Sequence, residues 1–193
     1  MRIFVTVLIL ILSVQCWTKA DDIGDYEIEG MSVGDSLLKF YSKNEIQTQL
    51  SKTSSTYSKT DILRVYFNIQ NPELYGTVNI HFINDENYEI VSIGGIEYFR
   101  NDMKNCYKKQ NIVINEIEEV FPKADKSKLN KSKHTSDPTG KSSVRDTWFN
   151  LSNGQIYISC TDWSDQMTKK HNWTDNLGIY LESFEYIRWL QSL

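Results

Sequence analysis

The stretch Thr147-Trp148-Phe149-Asn150-Leu151-Ser152-Asn153-Gly154-Gln155-Ile156-Tyr157-Ile158-Ser159-Cys160 decides the fold. Asn153-Gly154 separates two segments in which apolar and polar residues alternate, the pattern of a two-residue turn between half-buried strands. With Asn153 and Gly154 as the turn, Leu151 pairs with Ile156, Phe149 with Ile158 and Thr147 with Cys160. All six side chains then face one side, so the register is self-consistent. Trp148 and Tyr157 share the opposite face with Asp146 and Asn150, and Trp163 follows at the strand's end.

Upstream, the same period of two recurs. Leu63, Val65, Phe67 and Ile69 alternate with Arg64, Tyr66 and Asn68, and Val78, Ile80 and Phe82 alternate with Thr77, Asn79 and His81. Asn84-Asp85-Glu86-Asn87 turns the chain into a third strand towards Tyr98, where Gly94-Gly95 predicts a bulge or bend. Downstream, a strand over Leu177 to Glu182 leads into a helix from Phe184, with Phe184, Ile187, Trp189 and Leu190 apolar.

Between meander and hairpin the period changes. Met103, Cys106, Tyr107, Gln110, Val113, Ile114, Ile117, Val120 and Phe121 recur at steps of three and four, a helix with Asn101 as N-cap and Pro122 as stop. Towards the amino terminus, Tyr26 to Glu29 predicts a short strand and Asp35 to Tyr41 a first helix. Ser42-Lys43-Asn44-Glu45 has capping-box spacing and opens a second helix ending near Leu50. Ser51 to Lys59 and the Lys-rich segment Lys123 to Ser143 read as surface loops. The order predicts an α+β fold: an antiparallel sheet of about five to six strands in two meander or hairpin units. A long helix and shorter terminal helices pack on one face, and residues 21–193 form a single domain.

The chain has 193 residues, with 21 Lys+Arg, 25 Asp+Glu and 24% charged residues, which argues against global disorder. A net charge of -4 argues against a general nucleic-acid binder. Residues 1–20 read as a signal peptide: Arg2 supplies the positive start, Ile3 to Val14 the apolar core, and Thr18-Lys19-Ala20 the cleavage site. Twelve apolar-run residues fall short of the roughly 20 needed to span a bilayer, so no membrane span follows cleavage. The competing reading is an uncleaved amino-terminal anchor. Gln15 before Cys16 breaks the small-residue requirement of a lipidation site. Removing Arg2 and Lys19 leaves 19 basic and 25 acidic residues, a balance of -6. It also leaves Cys106 and Cys160, an even pair that reads as a disulfide in an exported chain. Cys106 lies on the apolar stripe of the long helix and Cys160 on the core face of its strand. A bridge between them would staple helix to sheet.

Motifs with catalytic content are scarce. Gly140-Lys141-Ser142 resembles the end of a phosphate-binding loop, but position 135 is Thr135 rather than Gly and a strand follows instead of a helix. Cys160, Asp162, Asp165 and His171 match no zinc or calcium spacing, and Asp162 to Asp165 reads as a surface turn. His81, His134 and His171 accompany no nucleophile motif, and Glu116, Glu118 and Glu119 face outward from the long helix. No catalytic residue, cofactor or metal site is assigned. Two surfaces remain for binding. Lys123, Lys126, Lys128, Lys131, Lys133 and Lys141 could meet an anionic surface, with a solvated mobile loop as the alternative. Trp148, Tyr157 and Trp163 form an aromatic face that could stack on a glycan or a partner protein, unless the amino-terminal helices or the 164–177 segment cover it.

Asp21 to Ser42, with Glu27-Ile28-Glu29-Gly30-Met31-Ser32-Val33-Gly34-Asp35-Ser36, resembles the opening of a family of small exported proteins from marine bacteria. The Cys-bearing helix, Ile158 to Ser164, and the carboxy-terminal pattern from Phe184 to Trp189-Leu190 are similar too. No activity attaches to that family, so the resemblance carries no functional residue over. It implies a bacterial, periplasmic setting, in which the sequons at Asn130, Asn150 and Asn172 are not glycosylated. The combined expectation is a non-catalytic binding or interaction module in the periplasm or outside the cell. Its partner would be an envelope protein, a glycan or an anionic surface. The alternatives are a hydrolase whose site assembles only on folding and a component of an envelope assembly.

Overall fold

A computed structural model describes residues 21–52 and 61–193. The expected signal peptide, Cys16 and most of the Ser51 to Lys59 segment lie outside the described residues. In chain order the elements are α1 (Lys43–Lys52), β1 (Ile62–Asn68), β2 (Thr77–Ile83), β3 (Ile90–Tyr98) and α2 (Met103–Val120). They continue with β4 (Asp125–Lys126), β5 (Asn130–Lys133), β6 (Ser143–Asn150), β7 (Gly154–Asp162), α3 (Asp165–His171), β8 (Asn176–Ser183) and α4 (Phe184–Gln191). The strands form one antiparallel sheet of eight, ordered β1-β2-β3-β8-β7-β6-β4, with β5 also on β6. The last strand, β8, lies between β3 and β7 and joins the meander to the hairpin.

The α+β class is as the sequence predicts, but the sheet is larger. Its extra strands, β4 and β5, fall in the Lys-rich segment read as a loop, and every residue in them is exposed. An edge strand with no buried face produces no apolar alternation, and edge lysines discourage pairing with another chain.

One face of the sheet holds the main core. Val65, Ile80, Phe82, Ile93, Ile156, Ile158, Leu177, Ile179 and Leu181 are buried there with Val113, Ile114 and Ile117 of α2. The Cys106 and Cys160 sulfurs lie 2.02 Å apart, at disulfide-bonding distance, and link α2 to β7. Gln110 is the polar member of the helix stripe, and its amide donates to the Arg145 carbonyl at 2.7 Å. Asp102 rather than Asn101 is the N-cap, accepting from Asn105 N, while Asn101 takes a left-handed φ of 62°. The Ser42–Glu45 capping box forms: Glu45 Oε2 accepts from Ser42 N at 2.8 Å, and Ser42 Oγ accepts from Glu45 N. The first helix shrinks to a 3-10 turn, Leu37–Lys39. The expected strand at Tyr26 to Glu29 is instead a single bridge, Ile28 to Met31, around a turn with positive φ at Glu29 and Gly30.

The other face carries α4, so the helices do not all lie on one side. Tyr186 is buried there with Ile62 and Val91, and Trp189 packs beside them.

Two glycine-marked positions differ from the expectation. Ser152 and Asn153 form the hairpin turn, with Leu151 N donating to Gly154 O at 2.9 Å. Phe149 therefore pairs with Ile156, Thr147 with Ile158 and Arg145 with Cys160. A shift of two residues leaves every side chain on its predicted face. Gly154 serves close approach rather than a left-handed turn: a Cβ there would stand 2.4 Å from the Glu182 carbonyl oxygen. Asn153 is held by tertiary contacts, its Oδ1 accepting from Ile23 N and its carbonyl from Phe184 N. Gly94 and Gly95 lie in regular register opposite Asn79 and Val78, and the irregularity falls at His81 and Phe82 instead.

Candidate functional site

Antiparallel register places directly opposed residues on one face. On the face opposite the main core, one cross-strand row reads Trp148, Tyr157, Tyr180, Gly94, Asn79 and Tyr66, from β6 to β1. The next row reads Asn150, Gln155, Glu182, Ser92, His81 and Arg64. The first is aromatic except for Asn79 and a gap at Gly94. The second is polar throughout.

The gap gives the first row its shape. A Cβ on Gly94 would lie 2.3 Å from Tyr180 Cδ1, and one on Gly178 would lie 2.5 Å from Tyr180 Cε2. The Tyr180 ring is therefore laid flat over two glycines. Tyr157 stacks beside it at 5.9 Å between centroids, and Trp148 stacks on Tyr157 at 4.0 Å. The Tyr157 hydroxyl donates to Asp146 Oδ2 at 3.1 Å, and burial followed by the Asp146 charge pushes its phenol pKa up.

Elements beyond the sheet wall this floor at both ends. Ser183 caps α4, which sets Tyr186 over His81 with ring centroids 4.6 Å apart. At the other end, rings follow one another from His134 to Trp163 (4.2 Å), Trp173 (4.4 Å) and His171 (4.5 Å). Asp175 holds this end together, accepting from Trp163 N at 2.7 Å and from Asn101 N at 2.9 Å. Two recesses result. The inner one, about 270 Å³, is lined by Asn79, His81, Ser92, Tyr180, Glu182 and Tyr186 among others. The outer one, about 470 Å³, is lined by Tyr66, Tyr98, Arg100 and Trp173 among others. Trp163, Asn176 and Tyr180 line both, so the two recesses adjoin.

Electrostatics in the inner recess favour neutral groups. Burial, then the Arg64 charge, pulls the His81 pKa down to about 3, so the imidazole is neutral. Burial raises the Glu182 pKa, partly offset by the hydrogen bond from Gln155 Nε2 at 2.6 Å. Among the described residues, His81 Nδ1 and Asn79 Oδ1 are buried without a hydrogen-bond partner. His81 Nε2 faces the Tyr186 hydroxyl at 3.5 Å. Ser92, His81 and Glu182 share a row, but Ser92 stands between the other two, so the imidazole does not bridge hydroxyl and carboxylate as a triad histidine does.

Of the aromatic residues singled out in the sequence, Trp148 and Tyr157 stack directly, and Trp163 joins Tyr157 in lining the inner recess. All three are half-buried. The surface is concave rather than flat. The amino-terminal helices do not cover it, since α1 packs with β1 on the core side, where Tyr41 stacks on Phe67 at 3.7 Å. Tyr180, Trp173, Asn79 and Glu182 were not singled out. For Asn79, Tyr180 and Glu182 the signal is present in the sequence as the second face of alternating strands, but it becomes a site only through register between distant segments; Trp173 lies in the connection between α3 and β8.

The other motifs resolve into internal structure. Asp137 accepts five hydrogen bonds, from the backbone and hydroxyl of Thr139 and Ser142 and from Ser164 Oγ, with the Ser142 hydroxyl foremost in holding its carboxyl well below the usual range. The Gly140-Lys141-Ser142 segment thus folds around an internal carboxylate. Glu29 likewise accepts from the backbone of Glu73, Leu74 and Tyr75, and those bonds outweigh burial to lower its pKa. Asp162 ends β7 rather than belonging to a surface turn, while Ser164 caps α3 and His171 ends it. Among the described residues no group of three His, Cys, Asp or Glu side chains is placed to hold a metal ion. Lys126 pairs with Glu118, and Lys131 stands over the Tyr107 ring. No described helix is long and apolar enough to cross a membrane. No protein-family model, curated protein or solved structure matches the chain.

Proposed function

We propose that this is an exported, non-catalytic binding module, kin to the small periplasmic proteins that its opening segment resembles. Its ligand face is the groove on the second face of the sheet. The carrying observation is a pair of adjoining recesses that share Trp163, Asn176 and Tyr180 in their lining, floored by a ring laid flat on glycines. Half-exposed aromatic rings around a concavity, with a few convergent polar groups, are the common make-up of a ligand site. The outer recess alone lies within the roughly 300–1,000 Å³ usual for such sites. Tyr66 and Tyr98 at its rim are 39% and 50% exposed. Export agrees with the Cys106–Cys160 pair, since bridges persist in oxidising compartments.

The hydrolase alternative draws on the Ser92, His81 and Glu182 row. Against it, Glu182 is engaged by Gln155, and His81 meets Tyr186 rather than either of its row neighbours. The test is retention on an immobilised envelope fraction. Tyr66→Ala with Trp173→Ala is expected to abolish retention while leaving the circular dichroism spectrum unchanged. Retention equal to wild type would remove the groove from the reading.

A further inference from the structure

We propose that the groove binds a neutral carbohydrate, with a pyranose ring against the Trp163, Trp173 and Tyr180 rings and its hydroxyls at His81 and Asn79. The inference rests on the binding reading above and names the ligand class of that same groove.

Two independent observations converge. The first is the aromatic lining. A pyranose presents a face of C–H groups and a rim of hydroxyls, so it needs a flat apolar surface beside polar groups. Tyr180 provides such a floor, and Trp163 with Trp173, 4.4 Å apart and tilted by 45°, provides a wall. The second is the pair of buried polar atoms. His81 is 5% exposed and lines the inner recess, and its Nδ1 is buried without a hydrogen-bond partner among the described residues; Asn79, two residues earlier on the same strand, lines the same recess, and its Oδ1 is likewise buried and unpaired among them. A buried polar group left unpaired is destabilising, so an unpaired couple on residues that line one recess marks where a ligand hydroxyl would complete the bonding.

The kind of ligand follows from what those atoms need. Asn79 Oδ1 requires a donor. His81 Nδ1 requires a donor or an acceptor according to which ring nitrogen carries the proton. A hydroxyl serves either role, whereas a carboxylate or an ammonium group serves only one. Charge points the same way. Glu182 borders the inner recess and Arg100 the outer one, so no single sign dominates. An anionic ligand would bring its charge up to the Glu182 carboxyl, and a cationic one would approach Arg64, which follows His81 in the row. A neutral polyhydroxylated ring meets neither penalty.

The experiment is heteronuclear NMR on the protein, titrated separately with cello-, chito- and malto-oligosaccharides and with acetyl-tryptophan amide. At least one saccharide series is expected to shift the Trp163 and Trp173 indole signals in a saturable way below about 10 mM, the range of a millimolar site. His81→Phe keeps an aromatic ring beneath Tyr186 and removes the unpaired nitrogen. It is expected to weaken that saccharide about fivefold to tenfold, the loss of one hydrogen bond, while leaving the denaturation midpoint unchanged or raised. Trp173→Ala, at the rim, should abolish the response and guards against a folding defect in the inner variant. Saccharide affinity unchanged in His81→Phe would overturn the assignment. So would a groove that responds to acetyl-tryptophan amide and to no saccharide, an outcome that leaves a binding groove standing with another ligand. Silence towards every probe overturns the carbohydrate assignment, and retention on the envelope fraction then decides the binding reading separately.

Discussion

The two faces of this sheet are made by the same strands, residue by alternate residue, yet they are built to different rules. On the α2 side, Ile80, Ile93, Ile156, Ile158, Ile179 and Leu181 are all fully buried, and the Cys106–Cys160 pair fastens helix to sheet. On the α4 side the same strands present Asn79, Ser92, Gln155, Tyr157, Tyr180 and Glu182. The first face is closed by shape. Among the described residues the second is covered at its ends, by α4 and by the Trp163–Trp173 cluster, and between them lies the groove. If the groove is the ligand face proposed above, stability and binding are separated across a single layer of backbone, and substitutions on opposite faces should report on different properties.

The largest expected effect breaks the closed face at its covalent link. Replacing Cys106 and Cys160 by Ala opens a loop with a sequence separation of 54. The chain-entropy model assigns such a loop about 4 kcal/mol. Urea unfolding should show that loss, with the groove's ligand response retained in the folded fraction. Equal stability with and without the bridge would mean that packing alone closes this face.

Packing is tested next by Ile158→Ala. Ile158 has no exposed surface and lies between Gln110 of α2 and the neighbouring strands, so a cavity there should cost about 3 kcal/mol. Tyr66→Ala, on the opposite face at 39% exposure, should cost less than half as much. Similar losses at both sites in parallel denaturation curves would erase the contrast between the faces.

The closed face was also the more legible one in the sequence. Val65, Ile80 and Ile158 alternate with polar neighbours, and Cys106, Val113 and Ile117 recur at helical steps, because burial forces apolar residues into the period of the backbone. The hairpin's faces could be read for the same reason although its register could not. A shift of two residues conserves the apolar pattern, and the turn is fixed by contacts from Ile23 and Phe184 that lie far away in the chain. Strands β4 and β5 left no trace because an exposed edge imposes no period. The groove was only partly visible. Trp148, Tyr157 and Trp163 stood out as aromatics on a polar face, but Asn79, Tyr180 and Glu182 come together through pairings across β2, β3 and β8 that no local pattern encodes.

The open face carries its own liability in acid. His81 is neutral when folded, with burial foremost and then Arg64 holding its pKa near 3, whereas an unfolded histidine titrates near 6.5. Tyr186 of α4 faces it, and Glu182 of β8 lies beyond Ser92 in the same cross-strand row. As pH falls below about 6.5 the unfolded chain takes up a proton that the folded one refuses, so stability declines on the acid side. At pH 5 the decline from this residue should be about 2 kcal/mol relative to pH 8. His81→Phe should remove that portion of the slope in denaturation midpoints measured across this range. An unchanged slope would mean that His81 is protonated in place.

The finest test uses two adjacent residues. Gly94 and Gly95 are consecutive in β3, so their missing side chains point to opposite faces, and each is overlaid by a tyrosine ring. A Cβ on Gly95 would lie 2.5 Å from Tyr75 Cγ, and Tyr75 is 3% exposed, packed into the core cluster. A Cβ on Gly94 would lie 2.3 Å from Tyr180 Cδ1, an equally close approach, but Tyr180 borders both recesses and has open space beside it. Contact distance alone therefore predicts the same penalty at both sites. The difference between the faces predicts otherwise. Gly95→Ala overpacks a region that cannot yield and should cost about 2 kcal/mol, near the middle of the range for added core methyls. Gly94→Ala should cost about 1 kcal/mol or less, because the ring can tilt into the groove. The ligand response should reverse that order, since a tilted Tyr180 no longer gives a flat floor: Gly94→Ala loses the saccharide-induced indole shifts, and Gly95→Ala keeps them in its folded fraction. Equal losses of stability, or a groove that still responds in Gly94→Ala, would show that the two faces yield alike and that the Tyr180 floor is not what the ligand reads.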